Sequence, residues 1–220
     1  MNSVVIFGTS ELAETAAFYF QHDSNLSVAA FTVDREFARG DSFCGLPLVP
    51  FDELERTFPP GDHSFFVAVS YAKLNKLRAA KCAEAKSKGY RLVSYISSRA
   101  TVWPGFSLGE NCLILEDNTI QPFAKIGHNV TLWSGNHIGH HAEIGDNCFI
   151  TSHVVISGGV KIGDNCFIGV NATIRDHVSI GADCVIGAGS LILQDAAANS
   201  VYSAPAAELS RVPSNRLRNI

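Results

Sequence analysis

Basic residues are in short supply. The 220-residue chain has 17 Lys and Arg against 21 Asp and Glu, a formal charge of -4 and a pI of about 6.0. It therefore presents no positive field to a polyanion, and nucleic acid is excluded as a principal partner. Long apolar runs are also missing: nothing approaches the roughly 20 residues that a membrane-spanning helix needs. The first residues, MNSVVIFG, lack a positive leader and a small-residue cleavage site, so a soluble, cytoplasmic protein is expected. The cysteines Cys44, Cys82, Cys112, Cys148, Cys166 and Cys184 form no CxxC pair, which argues against a zinc knuckle or a dithiol redox motif. Free thiols fit a reducing compartment.

What is present falls into two patterns. Residues 1–95 alternate short apolar runs with helical periodicity, as in a small α/β unit with a parallel sheet. VVIFG (Val4 to Gly8) predicts a buried strand and TSELAETAAFYFQH a helix, with Thr9 or Ser10 able to cap it. SVAAFTVD is a strand ending at Asp34; SFFVAVS is another, followed by the helix YAKLNKLRAAKCAEAKSKG and the strand RLVSYIS. The order is Rossmann-like, but the glycine-rich phosphate loop is absent. Gly8 stands alone where a dinucleotide fingerprint has three glycines, and Glu11 in the first helical turn would repel a phosphate.

From Val102 every sixth residue is aliphatic, through Leu108, Ile114, Ile120 and onward without a break to Ile192. The residue two before each is usually small or valine, and glycine follows several of them. This is a hexapeptide repeat. Six residues make one flat strand and a corner, and three such sides close a triangular coil of eighteen residues stacked at about the 4.8 Å strand spacing. GEN, GHN, GDN, GDN and GAD, beginning at 109, 127, 145, 163 and 181, recur at that interval and put Asn or Asp where a corner needs a left-handed residue. Cys148, Cys166 and Cys184 should stack inside as small apolar fillers. Asn118 and Asn136 should form a buried amide ladder that satisfies its own hydrogen bonds.

The repeat [LIV]-G-x-x-small-x resembles the left-handed parallel β-helix of the hexapeptide acyltransferases. A Rossmann-like N-terminal unit leading into such a helix resembles the PglD/NeuD-like sugar acyltransferases, bacterial enzymes that acetylate nucleotide-linked amino sugars or sialic acids in polysaccharide biosynthesis. The left hand comes from the resemblance, not from the periodicity. The fold expected is a Rossmann-like nucleotide-sugar-binding domain (1–95), a left-handed β-helix acyltransferase domain (96–198) and a C-terminal tail (199–220). The family implies a homotrimer, with acetyl-CoA as acyl donor, no metal and a nucleotide sugar as acceptor.

The segment IGHHAEIGDN fits the family's catalytic segment, with His140 as the base at a corner between subunits and His141 where an acidic residue usually stands. Glu143, or an acid from another subunit, is a candidate for the missing charge. The family's oxyanion donor, a backbone N–H one coil further on, falls at Gly158. The resemblance puts CoA near Asp176 and Ala188, and the nucleotide near Gly8, Asp34, Ser70 and Tyr71. Arg211, Arg216 and Arg218 follow the last coil, where they could reach CoA phosphates. The chain departs from the family pattern in FGTSELAE at the first loop, ISS before the β-helix and SAPAAE near its end.

Of the other histidines, His137 should face outward from a flat side, and His128 replaces the aspartate of a corner. His153 belongs to a different corner, while His177 shares the corner file of His141. Related β-helices with three interfacial zinc histidines offer a test: His141 and His177 are two coils apart, but the third ligand position holds Ala182, so no metal site is expected. The implied reaction is direct acetyl transfer from acetyl-CoA to the amino group of a nucleotide-linked deoxyamino sugar in a ternary complex. Two alternatives stay open: O-acetylation of a sugar or sialic acid hydroxyl, and a non-catalytic β-helix scaffold.

Overall fold

The computed structural model describes residues 3–216. The N-terminal unit comprises β1 (Ser3–Phe7), α1 (Glu11–His22), β2 (Ser27–Val33), β3 (Ser42–Phe43), β4 (Leu46–Pro50), α2 (Leu54–Thr57), β5 (Ser64–Val67), α3 (Lys76–Ser87) and β6 (Arg91–Leu92). The strands form one sheet in the order β3-β4-β2-β1-β5-β6, parallel except for the β3–β4 pair. Both faces of β1 are buried, because α1 covers one side with Leu12, Ala16 and Phe20 while α3 covers the other. That double cover explains the continuous apolar run VVIF. Ser10 is the N-cap of α1 by backbone geometry but makes no side-chain cap bond.

Beyond Leu92 the chain winds into a triangular parallel β-helix. Its first face stacks the strands at Tyr95, Leu113, Thr131, Phe149, Phe167, Val185 and Val201; its second runs from Thr101 to Leu191; its third runs from Ser107 to Ser179. The pairing register is eighteen residues throughout most of the solenoid, as in Leu113↔Thr131 and Ile138↔Ile156. RLVSYIS is thus not one strand: Arg91–Leu92 pairs with β5, whereas Tyr95–Ile96 opens the first face of the solenoid. The run reads as one strand because Leu92 and Tyr95 are both buried, although in different sheets.

The corners account for the repeat. Asn111, Asn129, Asn147, Asn165 and Asp183 all have positive φ, as do His141, His153 and His177. Glycine just after the inward aliphatic is required by coil spacing: a Cβ on Gly109 would lie 2.5 Å from His128 N, and one on Gly139 2.5 Å from Gly158 N. Cys112, Cys148, Cys166 and Cys184 are fully buried. Asn118 and Asn136 are buried too, but they do not form the expected ladder. Their amides donate to the carbonyls of Leu115 and Trp133, Val154 N–H donates to Asn136 Oδ1, and Asn118 Oδ1 has no partner. The amide ladder runs instead through the corner file Asn111–Asn129–Asn147, with bonds of 2.8 and 2.9 Å. Left-handed corner residues bring their side chains into line, whereas the interior position lies closer to backbone carbonyls.

The three faces differ in what they offer outward. The first is covered by α1, with Leu113, Leu115 and Phe149 in the same core as Ala13, Phe20 and Tyr95. The third carries Lys125, Glu143 and Lys161. The second presents Thr101, Thr119, His137, Val155, Thr173 and Leu191, a side without a formal charge unless His137 is protonated.

Asp23, at the C-terminus of α1, ties the two units together. Its Oδ2 accepts from Tyr95 Oη at 2.6 Å, Ser98 N–H at 2.8 Å and Ser97 Oγ at 3.3 Å. Donation from Ser98 and then Tyr95 holds its pKa down at about 2, against an ordinary 3.8. A depressed carboxylate pKa contributes stability that is present above the unfolded value and is lost as pH falls through the folded one. Asp23→Asn should therefore destabilise the protein at neutral pH, and its gap from wild type should close between pH 3.8 and about 2. Urea unfolding across that range tests this, and a gap independent of pH would contradict it.

Candidate active site

Two connected cavities open at the C-terminal ends of the parallel strands, the usual ligand position in such a sheet. The smaller, about 320 Å³, is lined by Gly8, Asp34, Phe37, Ser70 and Lys81. The larger, about 830 Å³, is bounded by Glu11, Ser70 and Tyr71 from the N-terminal unit and by Trp133, Phe149 and Ser152 from the solenoid. Thr9, Ser10 and Ser70 line both. Gly8, Asp34, Ser70 and Tyr71 are thus brought together. Gly8 has a packing reason of its own: its φ is +132°, and a Cβ there would meet Ala68 O at 2.7 Å.

Asp34 accepts from Lys81 Nζ at 2.5 Å, and Glu84 accepts from the same ammonium at 2.8 Å. Burial pushes Lys81 down, but the two carboxylates outweigh it and the net shift is upward. The small cavity therefore has a fixed cation, an acceptor-rich carboxylate and the half-exposed ring of Phe37. That set suits a polar, hydroxylated ligand with one flat face.

His140 and His141 lie at the corner between the second and third faces, both exposed. Their Nδ1 atoms are 3.2 Å apart, so one ring donates to the other. If His140 Nδ1 carries the hydrogen, its Nε2 keeps a free lone pair. His141, at φ +58°, packs against Phe123 with ring centroids 4.9 Å apart. Gln121 Oε1 accepts from the backbone N–H of His140 at 2.8 Å. Glu143 does not reach this pair; it is bonded to Lys125 at 3.1 Å, which holds its carboxyl below the ordinary range.

Gly158 lies one coil further along the same corner. A Cβ placed on it would come within 2.7 Å of His140 Cε1 and Nε2, so the imidazole edge rests against bare main chain. Some corner N–H groups are capped: that of His128 by Asp146 Oδ1, that of Asp146 by Asp164 Oδ1 and that of Glu110 by His128 Nδ1. The N–H of Gly158 has no partner among the described residues. Asp176, exposed, continues this file. Ala188 does not: it belongs to the corner between the first and second faces, with Ser134, Ser152 and Val170, and is separated from Asp176 by the second face.

His137 points outward from that second face, and His128 is part of a cap. Among the described residues no group of three or more His, Cys, Asp or Glu is placed to hold a metal ion. Arg211 and Arg216 are exposed in the tail, while Arg218 lies outside the described residues. No described helix is long and apolar enough to cross a membrane. Gln121, Phe123, Lys81, Trp133 and Ser152 were not evident from sequence. Gln121 and Trp133 left a signal, since each stands where glycine follows the inward aliphatic in many of the other repeats.

The family described as bacterial transferase hexapeptide (six repeats) matches residues 123–158 and 159–194. No curated protein matches the sequence. Among solved structures, perosamine N-acetyltransferase from Caulobacter crescentus, a histidine-to-asparagine variant in complex with CoA and GDP-perosamine, is 27% identical with a TM-score of 0.82, covering 91% of this chain and 93% of that one. The acetyltransferase domain of PglB from Neisseria gonorrhoeae in complex with acetyl coenzyme A is 21% identical with a TM-score of 0.78, covering 94% of this chain and 99% of that one. WeeI from Acinetobacter baumannii is 18% identical at a TM-score of 0.77, covering 90% of this chain and 94% of that one. The last two speak to the fold alone. With a left-handed parallel β-helix behind a Rossmann-like unit, and the hexapeptide repeat that builds it, this chain is similar in fold and architecture to the hexapeptide-repeat sugar acyltransferases.

Proposed function

We propose that this acetyltransferase moves the acetyl group of acetyl-CoA onto the amino group of a nucleotide-linked deoxyamino sugar, with His140 as general base. The observation that carries the reading is the His140 imidazole edge lying against the bare main chain of Gly158, a residue whose N–H has no partner among the described residues. Amide formation needs both groups: the attacking amine must lose a proton, and the thioester oxygen becomes an anion. The amine lone pair attacks the carbonyl carbon while His140 Nε2 takes the N–H proton. Gly158 N–H donates to the oxyanion. Collapse breaks the C–S bond, and the thiolate of CoA takes the proton back from His140. With His140 Nδ1 donating to His141 Nδ1, the contact selects the tautomer that leaves His140 Nε2 free. The relative at 27% identity, whose structure holds CoA and GDP-perosamine, supports donor and acceptor of these classes. Asp176 and Ala188 are assigned to the CoA path, and Gly8, Asp34, Ser70 and Tyr71 to the nucleotide.

The cavities and His140 lie on different corners of one chain. Six residues separate Ser134 from His140, a span of up to about 20 Å of extended chain, whereas proton transfer needs contact at about 3 Å. A second copy would bring one chain's cavity to another's histidine, and the second face, lacking lysine, arginine and carboxylate, is the surface suited to pack between them in a homotrimer. Sedimentation should give three chains per particle. Co-expressing His140→Asn chains with Ser70→Trp chains should recover part of the activity that each lacks alone, since mixed assemblies contain intact composite sites. No recovery, or a fully active monomer, would refute the shared site.

The reaction itself is tested by thiol release from acetyl-CoA with a panel of nucleotide-linked amino and hydroxy sugars. Turnover confined to the amino sugars is expected. Turnover only with hydroxy sugars would make the enzyme an O-acetyltransferase, and turnover with neither would remove the proposed reaction.

A further inference from the structure

The loop between β5 and α3 holds a backbone outlier. Lys73, Leu74 and Asn75 have φ of 52°, 50° and 65°, three consecutive left-handed residues of which none is glycine. L-residues adopt that conformation at a cost and seldom in succession, so neighbouring contacts must impose it. Two buried side chains do so. Asn75 is fully buried, and its Nδ2 donates to the carbonyls of Asn165 and Cys166, both at 3.2 Å. Arg78, 2% exposed, makes its bonds in two directions. Nη1 donates to Ser70 O at 3.1 Å, Val69 O at 3.3 Å and Asn75 Oδ1 at 3.2 Å. Nη2 donates to Asn129 O and Asn147 O at 3.0 Å and to Cys148 O at 3.2 Å, and Nε donates to Asn129 Oδ1 at 3.0 Å.

No carboxylate among the described residues pairs with this guanidinium, and burial lowers its pKa to about 10. A buried cation held by carbonyl and amide dipoles and by the face of the Phe149 ring, 5.5 Å away, is a poor way to gain stability, and the core around Phe20, Tyr95 and Phe149 already joins the two units. The planar fork is nevertheless suited to gripping carbonyls of successive coils and of a loop at once. That loop is the wall of the site. Ser70 lines both cavities, and the Tyr71 ring packs 5.3 Å from Phe149 and 4.9 Å from Phe167.

We infer that Arg78 and Asn75 are positioning residues for the acceptor: they hold the loop from Ser70 to Asn75, with its left-handed residues 73–75, in one conformation, so that the cavity wall keeps one placement against the solenoid coils. The inference rests on the proposed reading of the cavities as the nucleotide-sugar site. It predicts a defect confined to one substrate, since neither residue lies in the corner file of His140 and Gly158.

The test uses Arg78→Lys and Asn75→Gly in the full-length assembled protein. Glycine takes positive φ freely, so Asn75→Gly removes the amide bonds without adding backbone strain. Both variants should raise the KM for the nucleotide sugar by about tenfold, with kcat and the KM for acetyl-CoA within about twofold of wild type. Amide exchange over residues 70–75 should accelerate at the same time. Unchanged exchange there, or equal shifts in both KM values, would overturn the inference. If wild type turns over no nucleotide amino sugar, the proposed function fails. Binding of CoA against binding of nucleoside diphosphates, measured by calorimetry on the same variants, then decides the clamp: loss of nucleotide binding alone supports it, and loss of neither overturns it.

Discussion

Replacing His140 with asparagine is expected to lower kcat by roughly 10²- to 10⁴-fold, the range that a positioned general base supplies. The melting temperature should stay close to that of wild type, because the side chain is exposed and its one side-chain bond is to another exposed imidazole. Its backbone N–H, bonded to Gln121, is unaffected by the substitution. His141→Ala is the internal control. It removes the partner that sets the tautomer but no proton acceptor that touches substrate, so the loss should stay under about tenfold. The two variants share a corner and differ only in assigned role. A larger loss for His141→Ala would reverse the assignment, and two fully active variants would move the chemistry elsewhere.

Gly158→Ala should cost about 10²- to 10³-fold in kcat, the scale of a misplaced base or a lost oxyanion donor. The added methyl carbon would sit 2.7 Å from His140 Cε1 and Nε2, closer than non-bonded carbon tolerates. His140 is exposed and its ring is the movable partner, so the base swings away and the methyl group occupies the approach to the N–H. Gly158 is not among the glycines with positive φ, so alanine adds no backbone strain and the fold should persist. The adjacent Gly159 makes the contrast. Its φ is +68°, and a Cβ there would meet the His177 ring at 2.4 Å, so Gly159→Ala should lower stability. Steady-state kinetics and thermal melts on the two alanine variants separate the roles. Equal kcat losses, or a Gly158→Ala enzyme as active as wild type, would remove Gly158 from the mechanism.

The β-helix was legible because its constraints repeat. An inward aliphatic, a small residue two places before it, and a corner that tolerates positive φ are each needed once per side, and a local requirement met many times leaves a period in the sequence. The same logic made the Asn and Asp corners readable at Asn111, Asn129 and Asn147. Which amides would pair was not readable, because the choice of ladder depends on where side chains lie relative to backbone carbonyls in the next coil. Asn118 and Asn136 were the reasonable choice on pattern and the wrong one in space.

Arg78 marks the other limit. It sits in KLRAAKCAEAKS, a lysine-rich helix whose basic residues would all be taken as solvated, yet it is almost fully buried against coils more than fifty residues away in sequence. No local rule separates it from Lys76 or Lys86, since the difference lies in which stripe of the helix meets the solenoid. The division of RLVSYIS between two sheets is hidden for the same reason: both halves contribute buried apolar residues, and only the packing partners differ.

The sequence by itself determined the solenoid, its coil length, the residues that fill it and a short set of histidines able to transfer a proton, because period, size and titration are properties that residues carry with them. Tertiary structure decided the rest. It set His140 rather than another imidazole against the main chain of Gly158, paired Glu143 with Lys125, and put the cavities on a different corner from the histidine. These are relations between segments that meet only when the coils stack and the N-terminal unit docks, and contact across the fold depends on that docking rather than on spacing along the chain.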